Sequence, residues 1–342
     1  LLFALPGELP AGTSRRAVIG FDHEAAGFRA QVGPAGQVSV SNTTDEGQDA
    51  FKITTPRADW YLQKQGASFS SVVDANGVDW VGYHPGNGFD GQYRGIGQLS
   101  DDYFHPGGLL TGGVTQDLAA SGPLKAVFNA TSTGPSSGWT QKFEVYPTFV
   151  RSTVTPPANG GSTPWWFLYE GTPGGDAAIS GNAGTVYRSD GGSTPFNGSF
   201  SVDMAAPNWV AFAVPGQNRS IFFSHQQADG EEGYHSAGPM TVFGFGRNYP
   251  GDSGKISGGL TNQTFTYGIL ETANQGAIGQ QVAAINSSTD ANIDPGGTTS
   301  TTVSVTVPSQ PSPAAGFVPV TPSRLLDTRG NGGPLAAGTT RN

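Results

Sequence analysis

Residues 142–154, K-F-E-V-Y-P-T-F-V-R-S-T-V, contain two short runs in which apolar and polar side chains alternate. The first run covers 142–145 and the second covers 150–154. Successive side chains of a β-strand point to opposite faces, so a period of two indicates a strand with one buried face. Similar runs recur along the chain, at 36–41, 51–55, 126–130, 209–214, 221–224 and 265–270.

Turn-forming residues separate these runs, as expected for short antiparallel strands. Only 272–285 favours a helix, and its glycines weaken that interpretation. A propeller would show a repeat of blade length, and the sequence contains none. The sequence therefore predicts an all-β fold, a large antiparallel β-sandwich of two extended sheets, in one main domain over 17–285. The turn sequences are Ala75-Asn76-Gly77, Pro85-Gly86-Asn87-Gly88, Asp190-Gly191-Gly192 and Pro250-Gly251-Asp252.

Composition limits the partners of the chain. The 342 residues carry a net charge of −9, which argues against nucleic acid because a phosphate backbone needs a basic surface. No apolar run approaches the ~20 residues of a membrane-spanning helix. The absence of cysteine excludes a disulfide scaffold and thiolate metal sites. We therefore expect neither a nucleic acid nor a membrane partner, and the oligomeric state stays open.

The two ends of the chain differ from its body. Residues 1–16 form an N-terminal segment that reads either as the tail of a signal peptide or as an ordinary extension. A Thr/Ser/Pro-rich linker follows the body over 286–316. Residues 317–342 begin with F-V-P-V-T-P-S-R-L-L-D-T-R, which resembles the start of a module found in actinobacterial extracellular proteins. That resemblance implies export, so we expect an extracellular protein.

Several stretches of the body resemble a group of secreted bacterial β-rich proteins associated with polysaccharide degradation. The resemblance implies export and a glycan partner, and it assigns no reaction. The stretches that carry it are 60–86, 93–98, 103–108, 164–175 and 240–247.

Glu170 ends the most aromatic stretch of the chain, P-W-W-F-L-Y-E-G-T-P-G-G at 164–175. In a strand, Trp166, Leu168 and Glu170 share one face. Poor solvation generally raises the pKa of a carboxyl, and a protonated carboxyl is what a general acid of glycoside hydrolysis must be. Glu170 is therefore a candidate catalytic acid. The alternative is a surface carboxylate, or a structural partner of an arginine.

The run 142–146 offers a second carboxylate. Alternation places Lys142, Glu144 and Tyr146 on one face. Glu144 is a candidate catalytic group there, and Tyr146 a candidate sugar platform or proton donor. The alternative, which we favour, is an exposed face with a Lys–Glu pair of little energetic value.

Two of the five histidines lie in similar aromatic-His-Pro-Gly settings, at His84 and His105. They are candidate acid–base groups at a sugar ring. Tyr93 is a further catalytic candidate, with Tyr83 and Arg94 binding the substrate. A metal site with Asp101 or Asp102 is an alternative, although the spacing fits no standard zinc pattern. Histidines that only bond backbone in turns are the structural alternative.

The stretch 225–235, H-Q-Q-A-D-G-E-E-G-Y-H, is polar and acidic. It lacks the register of a helix-loop-helix calcium site. We interpret it as a solvated loop and predict no cofactor and no catalytic metal. A structural calcium ion is the one alternative left open.

The function indicated is a secreted carbohydrate-active enzyme that cleaves a polysaccharide substrate. A glycoside hydrolase is slightly favoured, because the negative charge suits a neutral glycan. Aromatic rings would stack on the sugars, with Trp60 and Trp166 as candidate binding residues. The tryptophans expected at the surface for this purpose are Trp60, Trp80, Trp139, Trp165, Trp166 and Trp209.

Two other classes stay open. A polysaccharide lyase would need cations to neutralise a uronate carboxylate, and Lys64, Arg94 and Arg247 are candidates for that role. A non-catalytic carbohydrate-binding or cell-surface structural protein would account for the aromatic residues equally well. An enzyme requires the candidate acid–base groups to converge in one cleft, and the other two classes do not.

Overall fold

A computed structural model of the chain describes residues 16–17, 37–82, 95–99, 114–133, 138–157, 165–238, 240–251, 253–254, 256, 262–288 and 304–305. The chain divides into two compact units, Leu1–Glu8 with Gly33–Thr301, and Leu9–Val32 with Thr302–Asn342. In the second unit, β1 (Arg16–Ala17) pairs in parallel with β22 (Ser304–Val305). The predicted division into 1–16, 17–285, 286–316 and 317–342 stays a prediction.

The first unit contains two nine-stranded antiparallel sheets. The first sheet has, in spatial order, β13 (Ser193–Pro195), β12 (Thr185–Arg188), β15 (Asn208–Val214), β16 (Arg219–His225), β21 (Gln263–Leu270), β10 (Val150–Thr155), β9 (Thr140–Val145), β8 (Ala126–Ser132) and β7 (Val114–Ser121). The stretch 142–154 thus forms a hairpin in which Val145 pairs with Val150.

The second sheet has, in spatial order, β14 (Ser199–Val202), β17 (Glu232–Ala237), β18 (Met240–Phe245), β11 (Phe167–Gly171), β6 (Gly95–Leu99), β5 (Phe69–Asp74), β4 (Ala58–Gln63), β3 (Gln48–Thr54) and β2 (Ser39–Asp45). A short ribbon of β19 (Arg247–Asn248) and β20 (Ser253–Gly254) follows β18. The predicted all-β sandwich is confirmed.

Aromatic side chains from both sheets form the core between them. Phe167 of the second sheet stacks on Phe265 of the first, with ring centroids 4.0 Å apart. Tyr169 stacks in the same way on Phe223 at 4.5 Å. Burial of these rings is the main stabilising contribution of the sandwich. It also fixes which residues of β11 point away from the core.

Helices are few in the described part of the chain. They are α1 (Asp176–Ser180), a 3-10 turn at Pro215–Gln217, and α2 (Gln275–Ser287). The stretch 272–285 that favoured a helix forms α2, which buries Ile278 and Val282 against the outer face of the first sheet. No helix of the described residues has the length and apolar character that crossing a membrane requires.

Candidate functional site

Glu170 lies on the outer face of the second sheet. Phe167 and Tyr169 point into the core, so Trp166, Leu168 and Glu170 point away from it. β11 is a central strand, paired with β18 on one side and β6 on the other. Although Glu170 faces outward, only 5% of its surface is exposed. A carboxyl group is thus held largely out of water at the centre of a sheet face.

The neighbouring strands set what surrounds Glu170. It pairs with Val242 of β18, and Val242 pairs with His235 of β17. On the other side Glu170 pairs with Gly95 of β6. Two strand spacings separate Glu170 from His235, about 10 Å between backbones. The row runs Gly95, Glu170, Val242 and His235, so a valine lies between the carboxyl and the imidazole.

Gly244 of β18 pairs with Leu168, and two side chains pack directly over its backbone. A Cβ atom at Gly244 would lie 2.7 Å from Cδ2 of Leu168 and 2.8 Å from Cβ of Arg247. The Arg247 side chain therefore lies directly over the backbone of β18. The chain reaches this position through Gly246, whose φ of +66° favours glycine.

Arg247, His235 and Tyr249 contact one another. A guanidinium NH of Arg247 donates to Nδ1 of His235 at 3.2 Å. Because the guanidinium can only donate, Nδ1 of His235 is an acceptor in this contact. The imidazole stacks on Tyr249 at 4.4 Å with an interplanar angle of 7°. Glu170, His235, Arg247, Tyr249 and Trp166 are called the polar cluster below.

Asp45 is a second carboxylate on this sheet. Its Oδ2 accepts hydrogen bonds from the hydroxyls of Ser70 and Ser71, the latter at 2.9 Å. Its Oδ1 has no hydrogen bond to a described residue. Burial raises the pKa of Asp45, while the two serine hydrogen bonds lower it and the nearby Asp79 raises it further.

Strand order places Ser70 of β5 two strands away from Glu170 of β11. Phe69 pairs with Ile96, and both side chains are in the core. Phe69–Ile96 is the pair that joins described residues of β5 and β6, and one residue further along the antiparallel strands Ser70 approaches Gly95, the partner of Glu170. The backbones of Ser70 and Glu170 are therefore about 10 Å apart. Asp45, held by Ser70, lies on the opposite side of Glu170 from His235.

Among the predicted site residues, the structure brings Glu170, Trp166 and Arg247 to one face. Trp166 is half-buried, and Arg247 is buried. His84, His105, Tyr93, Tyr83 and Arg94 lie outside the described residues, and their roles stay predictions.

Glu144 and Tyr146 belong to the other sheet. Oε1 of Glu144 contacts Nζ of Lys125 at 3.2 Å and Nζ of Lys142 at 3.0 Å. Tyr146 is buried in the cluster beneath α2. Glu144 therefore does not lie on the face that carries Glu170, and its contacts match the Lys–Glu pair considered as the alternative.

Trp60 and Lys64 lie away from the polar cluster. Trp60 is in the core, with its ring 5.3 Å from Phe69 and 6.1 Å from Tyr267, so the expectation that it is exposed is wrong. Nζ of Lys64 donates to Asn42 at 2.7 Å and lies over the ring of Phe51. The other expected surface tryptophans that are buried instead are Trp80, Trp139 and Trp165.

The stretch 225–235 is largely buried rather than a solvated loop. His225 contacts Asp229 through Nδ1 at 3.1 Å and Gln263 through Nε2 at 2.8 Å. Glu232 accepts from Nδ2 of Asn208 at 2.5 Å and from the Met204 N–H at 2.9 Å. Burial, and then Asp229, raise the pKa of Glu232 to about 10.

This network has no geometry for a metal, since the described residues contain no group of three or more His, Cys, Asp or Glu arranged to hold an ion. Sequence reasoning placed His235 in the same stretch and did not select Tyr249 or Asp45. Alternation with the buried Tyr234 was the one signal that could have placed His235 on an outer face.

Comparison with known proteins gives a likeness of fold at low similarity. No protein-family model and no curated protein matches the chain. An aldose 1-epimerase candidate from Klebsiella pneumoniae aligns with a TM-score of 0.43 and 12% identity over 72% of this chain and 87% of that one. A galactose mutarotase-like protein from Clostridium acetobutylicum aligns with a TM-score of 0.40 and 8% identity over 68% and 98%. Scores and identities this low establish neither a family nor a function for this chain.

Proposed function

We propose that this protein is a carbohydrate-active enzyme that hydrolyses a polysaccharide at the outer face of the second sheet. The observation that carries the proposal is the placement of Glu170, a nearly buried carboxyl on the same outer sheet face as the Arg247 guanidinium, the His235 imidazole and the Trp166 ring. Such a group has the environment of a general acid.

In the proposed reaction Glu170 donates its proton to the oxygen of the glycosidic bond. This step requires the protonated form of the Glu170 carboxyl. Protonation makes the departing sugar a neutral alcohol, which lowers the barrier to breaking the bond. Without that proton an alkoxide would have to leave.

The neighbours of Glu170 suit a sugar. Trp166 offers an aromatic surface on which a pyranose ring can stack, and Arg247 offers donors for hydroxyl groups. Extracellular location stays part of the proposal, supported by the linker and the C-terminal resemblance.

One observation favours a second reaction, elimination from a uronate glycan. Arg247 could neutralise the uronate carboxylate, while His235 and Tyr249 exchange protons with the sugar. Their mutual contacts place a cation and two proton-transfer groups together. The negative charge of the chain argues against a polyanionic substrate.

The test is product release from purified neutral glycans (β-glucan, xylan, mannan and arabinan) and uronate glycans (polygalacturonate, alginate and hyaluronan). Reducing ends and the ultraviolet absorbance of an unsaturated uronate are followed together. We expect reducing ends without absorbance from a neutral glycan, and a loss of kcat of about 10²–10⁴-fold in Glu170→Gln. Glu144→Gln, on the other sheet, is the matched control and should keep wild-type activity.

Other outcomes decide among the alternatives. A gain in absorbance would show that the reaction is an elimination and not a hydrolysis. Binding to a glycan without any product would leave a binding protein and contradict the enzymatic proposal, as would wild-type activity in Glu170→Gln.

A further inference from the structure

We infer that Asp45 is the second catalytic carboxylate of this site, the general base that activates water opposite Glu170. The inference rests on the proposed hydrolysis and deepens it. Hydrolysis of a glycoside generally needs two carboxyl groups, one on each side of the scissile bond. The sequence offered Glu144 for this role, and Glu144 lies on the other sheet.

The first support is position. The tip of the β2–β3 hairpin brings Asp45 to Ser70 and Ser71, across β3 and β4. Ser70 follows Phe69, the partner of Ile96, so β6 alone separates it from β11. Asp45 is thereby placed on the face that carries Glu170, although 125 residues separate the two in sequence.

The second support is orientation. Two serine hydroxyls hold Oδ2 of Asp45, while Oδ1 makes no hydrogen bond to a described residue. A general base needs this arrangement, because one oxygen must be fixed and the other must reach a water molecule. Burial also raises the pKa of Asp45, which makes its carboxylate a stronger base than an exposed one.

The third support is separation. Ser70 and Glu170 lie about 10 Å apart across two strand spacings, and Asp45 is within hydrogen-bond distance of Ser70. Inverting glycosidases hold their carboxyls ~6.5–9.5 Å apart to leave room for water, whereas retaining enzymes hold them at ~5–5.5 Å. An inverting mechanism is therefore part of the inference, and the configuration of the first product tests it.

Glu170 transfers its proton to the glycosidic oxygen, and the bond between that oxygen and the anomeric carbon breaks. A water oxygen bonds to the anomeric carbon from the opposite side, and its proton passes to Asp45. Solvent then returns Glu170 and Asp45 to their starting protonation states, and the product has the inverted configuration.

The experiment compares Asp45→Asn with Asp59→Asn and Glu170→Gln on the neutral glycan that the wild type cleaves best. Asp59 is the matched control, because it lies on the same sheet and pairs with Lys52 at 2.8 Å. We expect Asp45→Asn to lower kcat by about 10²–10⁴-fold with little change in KM, and azide to restore part of it. Asp59→Asn should stay within about twofold of wild type. Proton NMR of the first product should show inversion.

Ser71→Ala supplies a readout that does not require removal of the carboxylate. The Ser71 hydrogen bond lowers the pKa of Asp45. Its loss should therefore move the acidic limb of the pH–kcat/KM profile to higher pH, an effect that a structural role of Asp45 would not produce.

Outcomes against the inference are distinct from outcomes against the proposed function. If Asp45→Asn keeps the wild-type kcat while Glu170→Gln is inactive, Asp45 is not the general base, and the proposed hydrolysis is unaffected. A product of retained configuration would lead to the same conclusion. Elimination products, or no product from any glycan, would overturn the hydrolysis and Asp45 together.

Discussion

At the scale of single residues, Gly244 sets the position of Arg247. A methyl group at Gly244 would come within 3.0 Å of three side-chain atoms, one on Leu168 and two on Arg247. Both side chains would have to move, and Arg247 would be lifted from the sheet toward solvent. The geometry of the polar cluster thus depends on the absence of one carbon atom.

We expect Gly244→Ala to lower kcat/KM on a cleaved glycan at least tenfold and to destabilise the fold by about 1–3 kcal/mol. Urea unfolding and steady-state kinetics measure the two effects. Gly216→Ala is the control, because a Cβ there meets open space. Wild-type kinetics in Gly244→Ala would contradict the role given to Arg247.

At the scale of elements, the connection from β16 to β17 joins the two sheets through buried polar groups. His225 ends β16 of the first sheet, and Glu232 begins β17 of the second. Asn208 of β15 reaches across to Glu232. The titratable groups that affect Glu232 here are Asp229 and Asp203, and His225 is bonded to Asp229.

This connection predicts a pH-dependent stability. In the folded protein Glu232 keeps its proton up to about pH 10, whereas the unfolded chain releases it near the ordinary value of 4.5. The folded protein therefore binds more protons between these values, so the free energy of unfolding falls as pH rises through the window. We expect urea unfolding to show a fall of more than about 1 kcal/mol from pH 5 to pH 9.

Glu232→Gln separates this contribution from those of other groups. The variant carries no titrating proton, so its free energy of unfolding should fall less steeply than that of wild type over the same pH range. Parallel profiles for the two proteins would show that Glu232 does not hold a proton in the fold.

The attachment of α2 to the first sheet gives another prediction at this scale. The side chain of Asn274 caps the helix by accepting from Ala277 N–H at 3.0 Å, and Arg151 donates to the carbonyls of Ile285 and Ser288 at its end. We expect Asn274→Ala to cost about 1 kcal/mol of stability in urea unfolding. The exposed Asn197→Ala should change stability by less than about 0.5 kcal/mol, and an equal loss in both would argue against the cap.

At the scale of the whole molecule, alternation predicted the fold well. The alternating runs at 142–145 and 150–154 lie in β9 and β10. Many runs of this kind predict two extended sheets, which the structure contains. Local patterns determine which residues share a face of one strand. They do not determine which sheet a strand joins, because pairing depends on contacts distant in sequence.

This limit explains the mixed outcome at the candidate site. The local sequence around Glu170 and around Arg247 is enough to make each a candidate site residue, and the two lie on one face of the second sheet. Glu144 has the same kind of strand pattern, and no local feature reveals that β9 belongs to the first sheet. Asp45 precedes a Glu-Gly turn and was passed over, since only the folded hairpin brings it to Ser70. Trp60 was expected outside, but a half-buried strand turns its largest rings inward.

The two outer faces of the sandwich differ in a way that affects how freely the sequence can vary. α2 packs on the first sheet and ties its outward residues into a second apolar cluster. Outward positions of β11, β17 and β18 form a grid with spacings of about 7 Å along strands and 5 Å between them. Replacing side chains at the non-glycine positions of that grid leaves the inward rings in place, so the sequence of this outer face can vary with little effect on the packing between the sheets.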